Sequence, residues 1–164
     1  MARREPLAKN EEPDLSVKIA GVEFANPVFA ASGTFGYGSE YSTVLDVDSL
    51  GGICSKGLTL DGQPGNFGVR LIETPMGLIN SIGLENPGIK HFIENELPLM
   101  QKFKAKTIVN LSGKSLETYV EGAKLLDKTD APMIELNISC PNVKAGGMAF
   151  GMEPKAAASV VEAV

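Results

Sequence analysis

Two side chains pair reactivity or charge with a place where an apolar run stops. They are Cys140, in ELNISCPNVKAGG (135–147), and Lys56, in GGICSKG (51–57). A cysteine can act as nucleophile, metal ligand or base, and the thiolate is the form that does each of these well. Nucleophilic cysteines normally work beside a histidine. The single histidine, His91, falls in a helical stretch well before Cys140, so a base is the sharper expectation and a small buried filler the plainer one. A free thiol has a pKa of about 8.5, which nearby donors or a lysine lower. An unpaired ammonium after a buried run is costly, so Lys56 is expected to reach an anion or a carbonyl at the strand end. Asn80, Asn137 and Asn142 each offer a donor and an acceptor, which suits a planar ligand with amide edges and equally suits turn or cap duty. Cys54 lies inside an apolar run and reads as filler. With no CxxC pair and one histidine, neither a disulfide framework nor a zinc site is expected.

The elements that must position these residues follow from the hydropathy pattern. NPVFAAS (26–32), GGICSKG (51–57), KTIVNLSG (106–113) and PMIELNISC (132–140) are short apolar runs bounded by turn residues. Strands covered by helices on both faces have this character. They end in Ser32, Lys56, Asn110 and the group Asn137/Cys140/Asn142. In a parallel α/β fold all strand ends face one side, where ligands bind. One polar terminus means little, whereas four in succession predict a shared site.

Helices are expected over 88–103, with an interruption or kink at Pro98, and over 115–128 behind an N-cap at Ser115. A third is expected over 153–164, starting near Pro154 and running to the last residue without a C-cap. Strand and helix alternation predicts α/β architecture with parallel strands. Residues 58–88, rich in Gly, Pro and Asn, form a long excursion with a small hairpin around Val69–Glu73. GTFGYG (33–38) reverses the glycine order of a dinucleotide fingerprint, and QPGNFG lacks the GK[ST] of a P-loop.

The chain has 164 residues, 43% hydrophobic and 21% charged, with a formal net charge of −5. That balance argues against nucleic acid or an anionic membrane as partner, and no apolar run approaches the roughly 20 residues of a membrane span. Residues 1–14 lack the apolar core of a secretory signal and read as a solvated tail. The cysteine usage fits a reducing, cytoplasmic setting.

NPVFAASGTFGYG, SKGLTLDGQPGNFGVRLIETPMGLINSIGLENPG, IVNLSG and ELNISCPNVKAGGMAFG together resemble the catalytic subunit of class 1 dihydroorotate dehydrogenases, closest to class 1B. The resemblance covers residues 26–151, and NISCPNVK and LINSIGLENPG are its most specific parts. It implies a (β/α)8 barrel holding FMN above the strand ends, with dihydroorotate stacked on the flavin. By that likeness Cys140 is the base at C5 while hydride leaves C6 for flavin N5, and Lys56 bridges flavin and substrate. Asn80, Ser81, Ile82, Gly83 and Leu84 would wrap the substrate, with Asn137 touching substrate and flavin and Asn142 the substrate. Ser32, Gly57 and Asn110 would contact FMN. The likeness also implies a homodimer and a second subunit carrying FAD and an iron–sulfur cluster, which passes electrons to NAD.

A full barrel typically takes about 250 residues, so residues 15–164 are expected to form its first four βα units, ending within a helix. On its own such a half is expected to turn over little or nothing. The alternatives are another FMN-barrel oxidoreductase, resembling dihydropyrimidine dehydrogenase or dihydrouridine synthase, and a non-catalytic flavodoxin-like binding module.

Overall fold

The computed structural model describes residues 13–139 and 148–164. Most of the 1–14 tail, together with Cys140, Pro141, Asn142 and Gly146–Gly147, therefore lies outside the described residues. The first element is an antiparallel hairpin of β1 (Val17–Ile19) and β2 (Val22–Phe24), which the hydropathy reading does not include. Its turn residues, Ala20 and Gly21, both have positive φ, 48° and 86°, the geometry whose twist matches a two-residue hairpin. The alternation in VKIAGVEF was the available signal.

The four expected runs become β3 (Phe29–Ala30), β4 (Gly52–Cys54), β7 (Lys106–Ser112) and β8 (Met133–Asn137). Between β4 and β7 the excursion forms its hairpin, β5 (Leu71–Thr74) and β6 (Gly77–Asn80). The four main strands are all parallel and stand in the order β3-β4-β7-β8. That order follows the chain without reversal, as in a barrel wall. A flavodoxin-like sheet, with order 2-1-3-4-5, would exchange the first two strands, so topology removes the binding-module alternative.

Period-two alternation divides the sheet's side chains between two faces. Ile53, Val109, Leu111, Ile134 and Leu136 join the core shared with the helices. Cys54 and Ile108 point the other way and pack with Phe24, Val17, Val22, Phe29 and Met133. The β1–β2 hairpin thus closes the sheet beneath its amino-terminal end. Buried on both faces, β7 is the central strand in the energetic sense as well.

The helical layer departs from expectation twice. After β3, two 3₁₀ turns (Ser39–Tyr41, Val47–Ser49) stand where the first βα unit would carry a helix. Gly33, Gly36 and Gly38, all at positive φ, cannot continue a right-handed turn there. The 88–103 segment is helical from 89 to 100 in three parts. These are α1 (Ile89–His91), a π-helical turn (Phe92–Glu96) and α2 (Leu97–Met100). The Leu97 N–H reaches back to the Phe92 carbonyl, so the helix takes in Pro98, which has no N–H, by widening one turn instead of breaking.

α3 (Leu116–Leu126) starts at Ser115 as expected, and Thr118 completes a reciprocal capping box. It lies close on β7, because a Cβ at Gly122 would fall 2.7 Å from Leu111 and 2.8 Å from Ile89. α4 (Met148–Gly151) and α5 (Pro154–Ala163) complete the layer, with Val160 fully buried.

Candidate functional site

The carboxyl ends of the four strands open onto a cavity of about 380 Å³. It is lined by Ser32 and Gly33 after β3, Lys56 and Gly57 after β4, Asn110 on β7, and Asn137 and Ser139 at the end of β8. Its remaining wall comes from the excursion: Asn80, Ile82, Gly83 and Leu84. The structure thus brings together nine of the residues singled out from sequence. Ser81 stands apart, since its N–H donates to the Arg70 carbonyl (2.8 Å) and its hydroxyl accepts from Asn66 Nδ2 (3.0 Å). Cys140 and Asn142 lie outside the described residues. A larger cleft of about 650 Å³ shares Lys56 but is otherwise bordered by Tyr37, Glu40, Asp61, Gln63 and Glu85. It gathers three acids around one cation, whereas the smaller cavity joins the strand ends, so the smaller cavity is the candidate site.

Lys56 is half-buried, and among the described residues its ammonium has no hydrogen-bond or ion-pair partner. The ammonium is thus available to an anion or carbonyl of a ligand at the strand end. Lys56 lines both cavities, so its ammonium is not enclosed in a way that would force a pairing. Its backbone N–H is held by the Gly36 carbonyl at 3.0 Å.

The amides are locked by a chain of hydrogen bonds. Asn137 Nδ2 donates to Asn110 Oδ1 at 3.0 Å, and Asn110 Nδ2 donates to Glu135 Oε1. Ser32 Oγ donates to the same Glu135 oxygen at 2.9 Å. Asn137 Oδ1 accepts from the Ser139 N–H (3.3 Å), and its carbonyl accepts from the buried Tyr119 hydroxyl (2.6 Å). Each carboxamide keeps further hydrogen-bonding capacity for a ligand. Sequence reasoning missed Glu135. Its signal was a charged residue within an apolar run expected to be buried on both faces, a position that demands partners.

Burial, and after it the nearby Glu135 carboxylate, pushes the Cys54 thiol pKa up to about 12. The filler reading fits this: the thiol is buried and stays protonated at neutral pH.

The excursion wall is fixed from outside. Asn66 N–H donates to the Ile82 carbonyl (3.0 Å) and Gln63 Nε2 to the Gly83 carbonyl (2.6 Å). The Gly83 φ is +77°, and a Cβ there would sit 2.6 Å from the Asn66 side chain, so glycine is required on both counts. Leu84 itself has φ of 55°, a left-handed conformation that is uncommon for leucine. Asn86, 7% exposed, holds this bend: its Oδ1 accepts from Thr59 N, Thr59 Oγ1 and Gly88 N, and its Nδ2 donates to the Leu84 carbonyl.

Comparison with known proteins agrees with the geometry. Residues 14–164 match the family model described as dihydroorotate dehydrogenase. The dihydroorotate dehydrogenase B (NAD(+)) catalytic subunit of Petrotoga mobilis is 53% identical over 151 residues, covering 92% of this chain and 50% of that protein. The same-named subunit of Caldicellulosiruptor bescii is 50% identical, with the same coverage. The chain thus spans about half the length of these curated relatives. Among solved structures, the DHODH of Eimeria tenella in complex with ferulenol superposes with a TM-score of 0.73 at 22% identity, over 94% of this chain and 44% of that one. At that identity the likeness concerns the fold, of which this chain forms a consecutive part.

Proposed function

Because the chain belongs to the dihydroorotate dehydrogenase family, we propose that the whole protein oxidises dihydroorotate to orotate, with FMN as the flavin and residues 15–164 supplying the first four βα units of its barrel. The observation that carries this reading is one cavity at the strand ends that gathers a cation, three carboxamides and two hydroxyls. The cavity's donors suit the polar edge of a flavin. Gly57 keeps its floor open, since a Cβ there would fall 2.9 Å from both Asn110 Oδ1 and Leu84 Cδ1. Beside it, the buried Ser112 hydroxyl has no hydrogen-bond partner among the described residues.

Bound there, FMN would supply a two-electron acceptor for the hydride from C6. The remaining chemistry falls to the protein. Cys140 takes the proton from C5 as general base. Lys56 places positive charge where negative charge develops, which is worth most in a water-poor cavity. Asn80, Asn137 and Asn142 align the amide edges of the pyrimidine, while Ser81 to Leu84 enclose it. Ser32, Gly57 and Asn110 would hold the flavin.

The relatives' designation as catalytic subunits implies a second subunit. We assign to it FAD and an iron–sulfur cluster that relay electrons to NAD, in a cytoplasmic assembly built on a homodimer. Phe67 and Met76, both 97% exposed on or beside the β5–β6 hairpin, support association with another chain. No helix among the described residues is long and apolar enough to cross a membrane.

The test uses the full-length protein with flavin bound. Cys140→Ala is expected to keep its flavin and the spectral change on adding orotate. It should lose dihydroorotate oxidation by at least about 100-fold, the scale of a missing general base. Turnover within tenfold of the parent would remove Cys140 from the role.

A further inference from the structure

We infer that Glu135 is a positioning residue that fixes the polarity of the Asn110–Asn137 amide pair and so decides which atoms that pair presents to a ligand. The inference rests on the functional reading above and adds a residue to it. Asn110 and Glu135 are partners across the β7–β8 ladder, as are Ser112 and Asn137. Glu135 and Asn137, two apart on β8, therefore share a face with Asn110.

A carboxylate only accepts hydrogen bonds, whereas a carboxamide does both. Ser32 Oγ and Asn110 Nδ2 both donate to Glu135 Oε1. With Nδ2 committed, Asn110 turns Oδ1 toward Asn137, which must answer with its own Nδ2. Asn137 Oδ1 is then left facing the Ser139 N–H at the cavity rim. Reversing any one amide would set two donors or two acceptors face to face along the chain. One acceptor-only group thus specifies two amides and a hydroxyl that line the cavity.

The relay predicts graded effects in the full-length, flavin-loaded protein. The readouts are orotate affinity followed by the flavin spectrum, flavin affinity of the apoprotein, and the division between KM and kcat. Glu135→Ala is expected to raise the orotate Kd and the dihydroorotate KM about tenfold, the usual effect of losing one well-placed hydrogen bond. It should leave kcat within about threefold, because the grip acts on ground and transition state alike. Glu135→Gln keeps an acceptor but admits the reversed orientation, so a rise of about threefold is expected.

Asn110→Asp sets two carboxylates together and is expected to cost more than about tenfold. Adding Glu135→Gln to it restores a donor–acceptor contact and leaves the carboxylate on β7 accepting from Asn137. The double variant should therefore recover to within about threefold of Glu135→Gln alone. If Glu135→Ala fails to fold, this pair decides. Orotate and flavin affinities within twofold of the parent in Glu135→Ala, or a double variant no better than Asn110→Asp, would overturn the inference. A parent protein that binds flavin yet ignores orotate would instead sink the functional reading, and the Glu135 series would then be judged on flavin affinity.

Discussion

Asn86 offers a quantitative test of how the cavity wall is held. Its carboxamide makes four hydrogen bonds at 2.8–3.2 Å: three donors converge on Oδ1 and Nδ2 answers the Leu84 carbonyl. Thr59, 6% exposed, and Asn86 are both buried, and Gly88 packs against the Asp61–Gly62 backbone. Replacing Asn86 by alanine strips partners from two backbone N–H groups, one hydroxyl and one carbonyl. A buried polar group left unpaired costs about 1–3 kcal/mol. One water entering the space of the lost amide could satisfy two or three of the four. The expected loss is then about 3 kcal/mol, a fall of about 6–12 °C in Tm for a cooperative unit of this size. Asn86→Asp separates the two ends of the amide: it keeps the acceptor for all three donors but sets an oxygen against the Leu84 carbonyl. It should lose about 1–2 kcal/mol at neutral pH, clearly less than alanine. Urea and thermal unfolding of parent and both variants give the comparison. A loss below about 1 kcal/mol for alanine, or equal losses for the two variants, would refute the view that convergence on Oδ1 holds the bend.

Other perturbations follow from the same geometry. Gly83→Ala meets both a left-handed φ and the Asn66 side chain, so it is expected to cost about 1–2 kcal/mol from the backbone alone and to weaken orotate binding through displacement of Leu84. Unchanged stability and affinity would show that the 80–84 wall is not held as described. The Cys54 pKa is raised in the fold, from 9.0 to about 12. The stability that comes with the protonated thiol is therefore complete below pH 9 and is lost as pH climbs toward 12, because the unfolded chain ionises first. Cys54→Ala should flatten the alkaline limb of the stability curve relative to the parent, and the native thiol should resist alkylation at about pH 8, near the pKa of a free thiol, until the protein unfolds. Rapid labelling of native Cys54 would contradict its assigned surroundings.

Much of the site was legible before the fold was known, for a reason visible in β7. KTIVNLSG is apolar, short and closed by polar residues, and a strand of that kind can only sit inside with its terminus at the rim. The same logic placed Ser32, Lys56 and Asn137. The sequence also disclosed the Ser115 cap and the β5–β6 hairpin, because caps and turns are local chemistry. What escaped it depends on partners distant along the chain. Glu135 takes its meaning from Ser32, 103 residues away, and from Asn110, 25 residues away. Asn86 is one of several asparagines until Thr59 is folded against it. The π-helical turn before Pro98 escaped for another reason, since a helix can accept proline by breaking, kinking or widening and tertiary packing selects among these.

The alternation on β7 and β8 ties stability to function more tightly than a list of site residues conveys. Val109, Leu111, Ile134 and Leu136 face the helices, while Asn110, Ser112, Glu135 and Asn137 occupy the positions between them. A slip of one residue on either strand would carry amides into the apolar core and leucines into the cavity. The apolar set thus supplies the driving force for the very register that lines up Asn110 with Glu135 and Ser112 with Asn137. Conversely, Asn110, Glu135 and Asn137 are tolerable there because they satisfy one another, and removing one member leaves the others' polar groups unpaired. Substitutions on these strands should therefore fall into two classes. Shortening an outward residue should lower stability while leaving ligand affinity nearly intact, whereas altering Asn110, Glu135 or Asn137 should weaken ligand binding and also cost stability through the partners left unpaired.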